Sequence, residues 1–364
     1  MSLNNPIYNF NAGPAMLPVE VMRIAEQEFR NYQDSGMSIM EMSHRGKHFG
    51  EVLERAESNL RKLLSLHHDY EIGFFPGGAT LQFSAIPMNL LAKKEQADYS
   101  LTGVWAVKAA KEAKALGFEA RTIYDGQKNG FLEVPELSEK DIDPQSKYLY
   151  ITSNNTIYGT RYAQFPKIRS VPLIADMTSD ILSREINASD FGIIFAGAQK
   201  NIGPSGLTLV IARKDLLEWK KEPVPILLDY KVYLTNKSLY NTPPTYSIYI
   251  AGLVFDWCIQ QGGLSAIEKQ NEAKAKLLYD FLDQSQLFTA PVKGKNRSTM
   301  NVVFHLKDKS LEKKFVEESE KEGLIGLAGH RDAGGMRASI YNAMPIEGVR
   351  ALIQFMKDFE NRRG

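Results

Sequence analysis

Phe195-Ala196-Gly197-Ala198-Gln199-Lys200-Asn201-Ile202-Gly203-Pro204-Ser205-Gly206 lies between two apolar runs, Phe191-Gly192-Ile193-Ile194-Phe195 and Leu207-Thr208-Leu209-Val210-Ile211. The runs read as buried strands, and the segment between them is a loop of small residues around one lysine. A lysine that must attack a carbonyl and form a Schiff base needs low dielectric to shed its proton, and room beside it for a flat molecule. The plainer alternative is an exposed loop lysine. Glycine and alanine on both sides, between two apolar strands, favour the reactive reading.

Upstream, short apolar runs alternate with helical patterns, the signature of a largely parallel sheet covered by helices. Glu71–Phe75 reads as a strand punctuated by Pro76-Gly77-Gly78, and Thr80–Leu91 then has helical spacing. Lys108–Leu116 reads as a helix closed by Gly117, followed by a strand near Phe118–Tyr124. Tyr148–Thr152 is a strand running into Ser153-Asn154-Asn155-Thr156, and Val171–Ala175 leads into Asp176. Downstream of Lys200, a helical stretch Tyr246–Gln261 ends at Gly262-Gly263. Beyond it come a charged helix Leu264–Gln284, a strand Met300–Leu306, a helix near Leu311–Glu322 and a last helix Pro345–Arg362. These describe a smaller α+β lobe after a larger α/β one. The division is placed at 17–262 and 263–364, with residues 1–16 packing on the smaller lobe.

The chain's 364 residues suit two packed lobes. Lys plus Arg total 44 against 43 Asp plus Glu, a net charge of +1. Such balance gives no long-range pull on nucleic acid or anionic membrane, so any anionic ligand must be drawn by local cations. One cysteine, Cys258, excludes an intrachain disulfide and suits a reducing compartment. No apolar run approaches the roughly 20 residues of a membrane span, and the start lacks the pattern of a signal peptide. A cytoplasmic location is expected. The six histidines show no metal-ligand spacing, and no metal is expected.

Polar residues collect at strand ends: Gly77-Gly78-Ala79-Thr80, Asn154-Asn155-Thr156, Asp176 and Gln199-Lys200. Ligands of open α/β sheets bind beyond the carboxyl ends of the strands, so four such clusters suggest one site built from distant segments. A glycine turn running into a helix start, with a Thr hydroxyl, can make a phosphate cup; a tight turn is the plainer alternative. A buried Asp176 needs a cationic partner, and a protonated pyridine nitrogen is suitable; a helix N-cap is the alternative. Trp105 could stack on a ring or simply fill the core. His44-Arg45, His330-Arg331 and Arg337 lie in glycine-flanked segments, which suits capture of carboxylate or phosphate. Cys258 falls at helical spacing among apolar residues and reads as a buried structural thiol.

These motifs resemble those of the phosphoserine aminotransferases, class V members of the fold-type I pyridoxal-phosphate enzymes, nearly end to end. The segments that carry the resemblance are Asn9-Phe10-Asn11-Ala12-Gly13-Pro14-Ala15, Met42-Ser43-His44-Arg45 and Ser153-Asn154-Asn155-Thr156-Ile157-Tyr158-Gly159-Thr160. Ala198-Gln199-Lys200-Asn201-Ile202-Gly203-Pro204, Asn241-Thr242-Pro243-Pro244-Thr245 and Gly334-Gly335-Met336-Arg337-Ala338-Ser339-Ile340-Tyr341-Asn342-Ala343 complete it. The resemblance implies a large domain with a mostly parallel seven-stranded sheet between helices, plus a smaller C-terminal domain. It implies pyridoxal 5'-phosphate as cofactor, carried by Lys200, which then moves protons between substrate carbon and cofactor. It pairs Asp176 with the pyridine nitrogen and stacks Trp105 on the ring. Ala79, Thr80, Thr156 and Gln199 would hold the cofactor's phosphate and ring oxygen. Asn241 and Thr242 would reach the phosphate from the partner subunit of an obligatory homodimer. Arg337 would take the substrate α-carboxylate, and His44, Arg45, His330 and Arg331 the distal anion. Some members carry an arginine where this chain has Thr80, so one charge fewer serves the site here.

The implied reaction converts 3-phosphohydroxypyruvate and glutamate to O-phosphoserine and 2-oxoglutarate in serine biosynthesis. Some relatives also aminate a longer phosphorylated hydroxy acid in pyridoxine (vitamin B6) synthesis. Rivals are another class V aminotransferase, a cysteine desulfurase and a non-catalytic binding protein. The desulfurase needs a mobile loop cysteine, whereas Cys258 lies in an expected helix.

Overall fold

The computed structural model describes residues 6–219 and 222–363. Its centre is a seven-stranded sheet of β1 (Tyr70–Pro76), β2 (Gln96–Leu101), β3 (Glu119–Asp125), β4 (Ser146–Thr152), β5 (Leu173–Asp176), β6 (Ile193–Gly197) and β7 (Leu207–Arg213). The spatial order is β1-β7-β6-β5-β4-β2-β3. Strands β2 to β6 pair in parallel, and only β7 runs antiparallel to its neighbours β6 and β1. Both faces are covered. Ile194 and Ile211 point to a core shared with Phe49, Ile151 and Val254, while Phe195 and Val210 point to a core with Tyr99, Tyr148 and Tyr233. Successive side chains on a strand face opposite ways, so continuous apolar runs are what a doubly covered sheet requires.

The sequence reading misses β2, because Asp98 and Ser100 interrupt its apolar pattern. Both are fully buried and satisfied. Asp98 accepts from Arg121 Nε and Nη2 at 2.7 Å each, from Ser146 Oγ at 2.6 Å and from the Asp143 amide at 3.0 Å. Ser100 Oγ lies 2.8 Å from Tyr162 Oη. A helix at Lys47–Leu63 also escapes it, although Phe49, Val52, Leu53, Ala56 and Leu60 form a buried stripe. The helix expected to begin at Lys108 begins at Val104, so Trp105 sits in its first turn.

The chain beyond Gly262 builds a third apolar core with Phe10 from the N-terminal segment. It contains the helix Gly263–Gln284, strands β8 (Phe288–Thr289), β9 (Asn301–Leu306) and β10 (Met336–Ser339), and the helices Glu312–Lys321 and Ile346–Asn361. Strand β9 pairs antiparallel with β8 and β10. Tyr8 and Asn9 pair in parallel with Leu324 and Ile325, which ties the N-terminal segment to this part.

The turn after β4 joins the two parts. Gly159 has φ +74°, and its carbonyl accepts from the Ser298 amide at 2.9 Å. A Cβ at Gly159 would lie 2.9 Å from the Asn301 carbonyl oxygen and 3.2 Å from a Val303 methyl. Gly159→Ala should therefore destabilise the fold by about 1–3 kcal/mol, from left-handed backbone plus backbone overlap. Chemical denaturation of the two proteins measures it; equal stability would show that the turn tolerates a side chain.

Candidate active site

The parallel register sets strand ends beside one another: Thr152 at the end of β4 is paired with Asp176 at the end of β5, and Asp176 with Phe195 of β6. Just past these ends is a cavity lined by Gly78, Ala79, Thr80, Trp105, Thr156, Asp176, Gln199 and Lys200. The structure thus gathers all seven of the expected cofactor residues that lie between Ala79 and Lys200.

Lys200 Nζ donates to Thr156 Oγ1 at 2.5 Å. Burial pushes its ammonium down to about 8; Asp176 acts in the opposite sense, and the nearby Arg337 lowers it further. The amine is therefore far easier to deprotonate than a solvated lysine. Burial raises the Asp176 carboxyl, although its Oδ1 accepts from the Thr178 amide at 2.9 Å. Turns and no helix follow Asp176, so this bond is not the helix N-cap of the alternative reading, and the Thr178 side chain reaches the carboxylate as well. A cationic ring nitrogen beside Asp176 would offset the remaining cost of burial. Asp180, one turn on, is also raised by burial; it accepts from Ser153 Oγ and pairs with Arg184 at 3.4 Å.

The helix Ala79–Leu90 starts at the cavity with Gly78 as its N-cap and no side-chain cap. Its first amides and positive dipole end are free for an anion. Trp105 forms another wall, with Lys108 Nζ 4.5 Å from its ring centroid. Its helix is held tightly against the turn after β4: a Cβ at Gly103 would lie 2.4 Å from Asn155 Oδ1.

Arg337, on β10, is 9% exposed. Its Nε is buried without a hydrogen-bond partner, and its guanidinium forms no ion pair with any described residue. A buried guanidinium is costly unless something anionic meets it. Burial lowers its pKa as well.

Neither Arg337 nor the remaining expected residues line this cavity in a single chain, although Arg337 lies near enough to Lys200 to act on its charge. Thr242 is exposed and Asn241 half-buried, just before the helix Thr245–Gln260. His44 accepts from Arg45 Nε at 3.3 Å in the turn before the Lys47–Leu63 helix, and Arg45 is exposed. Arg331 is exposed too, and His330 Nδ1 accepts from the Asp332 amide at 3.2 Å. That loop reaches the Trp105 wall through Ala333, which packs with Trp105 on the Phe131, Ile157 and Tyr158 cluster.

The cavity also includes Asn154, from a strand-end cluster named in the sequence, and Phe83, Thr152, Thr178 and Ser179, which the sequence does not single out. Thr152, Thr178 and Ser179 lie at or just beyond strand ends already marked as polar, and that position was the available signal. Cys258 is fully buried in its helix, and burial pushes its thiol up to about 12, as a structural role requires. Among the described residues no group of three or more His, Cys, Asp or Glu is placed to hold a metal.

A family model described as aminotransferase class-V matches residues 7–352. The chain belongs to the class-V aminotransferase family. It is 56% identical over 358 residues to the phosphoserine aminotransferase of Leptospira biflexa serovar Patoc, covering 98% of both chains. Its fold matches the phosphoserine aminotransferase of Bacillus circulans subsp. alkalophilus with a TM-score of 0.95, 46% identity and 99% of each chain covered. It likewise matches a pyridoxal-phosphate-bound phosphoserine aminotransferase from Trichomonas vaginalis, at TM-score 0.92 and 41% identity, over 97% of this chain and all of that one.

The residues present fit pyridoxal phosphate. An uncapped helix start suits its phosphate, Trp105 its ring, a buried Asp176 its ring nitrogen and a depressed Lys200 its aldehyde. Only the neutral amine attacks an aldehyde, so attachment to cofactor-free protein should quicken as pH rises through about 8 and level off above it. The rate of growth of the lysine-bound chromophore after mixing reads this directly. A rate still rising towards 10.5, where an ordinary lysine titrates, would contradict the buried environment.

Proposed function

We propose that the chain transfers an amino group between L-glutamate and 3-phosphohydroxypyruvate, giving O-phospho-L-serine and 2-oxoglutarate, as a step of L-serine biosynthesis. The observation that carries this reading is the end-to-end likeness to phosphoserine aminotransferases, 56% identity over 98% of the chain, with Lys200 half-buried in the cavity at the converging strand ends.

Pyridoxal phosphate, when bound, supplies an aldehyde for linkage to amines and a ring that accepts electrons from the substrate carbon. Lys200 Nζ would carry it and, once displaced by substrate, would take and return the proton at that carbon. Thr156 Oγ1 orients Nζ through their hydrogen bond. Asp176 would keep the ring nitrogen protonated, which favours electron flow into the ring. Ala79 and Thr80 at the helix start, with Thr156 and Gln199, would hold the phosphate and ring oxygen. Trp105 would cover the ring face and exclude water. Arg337 would take the α-carboxylate, the anion that its unpartnered guanidinium calls for. Thr80 adds a hydroxyl and no charge, so the distal anion would depend on His44, Arg45, His330 and Arg331. Both substrates carry an α-carboxylate and a second anion at the far end, so one set of cations serves both half-reactions.

Asn241, Thr242 and the two His-Arg pairs stand away from the cavity wall of one chain, which supports completion of each site by a second copy in a homodimer. Asn241 and Thr242 would reach the phosphate of the partner's cofactor. A domain division near 262/263 is supported by the separate apolar core formed from Ala275 onward, although Leu264 and Ile267 still pack in the core of the larger part; of the N-terminal segment 1–16, residues 1–5 lie outside those described. A cytoplasmic setting without nucleic-acid or membrane partners agrees with the near-neutral charge; among the described residues no helix is long and apolar enough to cross a membrane. Amination of the longer phosphorylated hydroxy acid of pyridoxine synthesis would use the same pocket.

A coupled assay with 2-oxoglutarate as acceptor tests the reaction. Phosphoserine should serve as donor and alanine should not, and Arg45→Ala should raise the KM for phosphoserine while leaving cofactor absorbance unchanged. The loss of one charge-assisted contact corresponds to about 2–5 kcal/mol. Equal use of alanine would overturn the substrate, and an unchanged KM would remove Arg45 from the site.

A further inference from the structure

The helix Gly263–Gln284 turns a buried stripe inward at Leu264, Ile267, Asn271, Lys274, Ala275, Leu278 and Leu282. Two consecutive positions of that stripe are polar. Lys274, 3% exposed, donates to the carbonyls of Ile340 at 3.1 Å, Tyr341 at 2.7 Å and Met344 at 3.0 Å. An ammonium has three N–H donors, and here each has its own acceptor. All three acceptors belong to the segment that follows β10, the strand bearing Arg337. Burial pushes the Lys274 ammonium down to about 7, whereas its three carbonyl bonds favour the charged form.

One turn earlier, Asn271 Nδ2 donates to Asn342 Oδ1 at 2.8 Å and to the Ser183 carbonyl at 2.9 Å. Asn342 in turn donates from Nδ2 to the Leu182 carbonyl at 2.8 Å. Its amide donates to Oδ1 of Asn201, the residue after Lys200, at 3.1 Å. Tyr341 Oη accepts from Asn301 Nδ2 at 3.0 Å and donates to the Ala12 carbonyl at 2.7 Å, and it also faces Thr156, the partner of Lys200.

We propose that Lys274 and Asn271 form a buried strap that fixes Arg337 and Tyr341 relative to Lys200, making Lys274 a positioning residue for the carboxylate seat. A buried lysine serving the fold alone would need carbonyls from any segment. This one takes all three from residues 340–344, whose side chains and amides also grip the loops of Lys200 and Asp176. Charge-assisted bonds to three carbonyls leave that segment little freedom. Arg337, three residues before the first of them, is thereby held in place relative to Lys200, whose charge it influences.

The inference rests on the reading of Arg337 as the carboxylate seat, so Arg337→Gln is measured in parallel. In the cofactor-loaded enzyme, Lys274→Met should raise the KM for glutamate, and the dissociation constant of glutarate, by about tenfold to a hundredfold, because a displaced guanidinium loses much of its charge-assisted contact with the carboxylate. The absorbance of Lys200-bound cofactor should stay as in the parent, with kcat changed far less than KM. Asn271→Ala removes the neighbouring bonds without stranding a charge and should act in the same direction; it decides the matter should Lys274→Met not yield folded enzyme. If Arg337→Gln raises KM but the strap variants do not, the strap is wrong and the seat stands. If Arg337→Gln leaves KM unchanged, the carboxylate reading itself fails.

Discussion

Everything in this molecule turns on keeping one amine dry. Lys200 can link to a carbonyl only as the neutral base, and water would hold it as ammonium. Burial lowers its pKa to about 8, and Arg337 adds to the shift while Asp176 restrains it. That balance permits proton release near physiological pH and keeps a counter-charge at hand. A lysine in an open loop would have neither property. The doubly covered sheet exists, from this standpoint, to provide an apolar floor from which a short glycine-rich loop can hold one lysine inward.

The same sheet solves the assembly problem. Thr80, Trp105, Thr156, Asp176 and Lys200 are spread over more than a hundred positions of sequence, yet parallel strands deliver their carboxyl ends to one edge. The C-terminal part contributes differently, by docking rather than by pairing. The Gly159 turn abuts β9, Tyr341 reaches back to Ala12, and Asn342 grips the loops after β5 and β6. Arg337 is thus carried to the site by contacts between two cores, and its placement depends on their fit.

How much of this was legible in the sequence follows from what each signal depends on. Strands β1, β4, β6 and β7 could be read because burial on both faces demands continuous apolar runs. Strand β2 could not, since Asp98 and Ser100 are affordable there only through Arg121, Ser146 and Tyr162, partners distant in the chain. Lys200 announced itself through its small neighbours, and Asp176 through its place after an apolar run. Thr152, Thr178 and Ser179 did not, because a short hydroxyl at a strand end looks alike whether it lines a cavity or caps a turn. Asn241, Thr242, His44, Arg45, His330 and Arg331 were recognisable as residue types in a familiar pattern. Their convergence is not a property of one chain's local sequence. The strap of Lys274 and Asn271 was invisible for a related reason: in a charged helix, a lysine facing inward differs from its neighbours only in what packs above it.

Reduction of the cofactor-loaded protein with borohydride, followed by peptide mass mapping, tests the central claim most directly. The account predicts one reduced pyridoxyl-phosphate adduct per chain, on Lys200 and on no other lysine. Cofactor-loaded protein in which Lys200 stays unmodified, or in which another lysine carries the adduct, would contradict it.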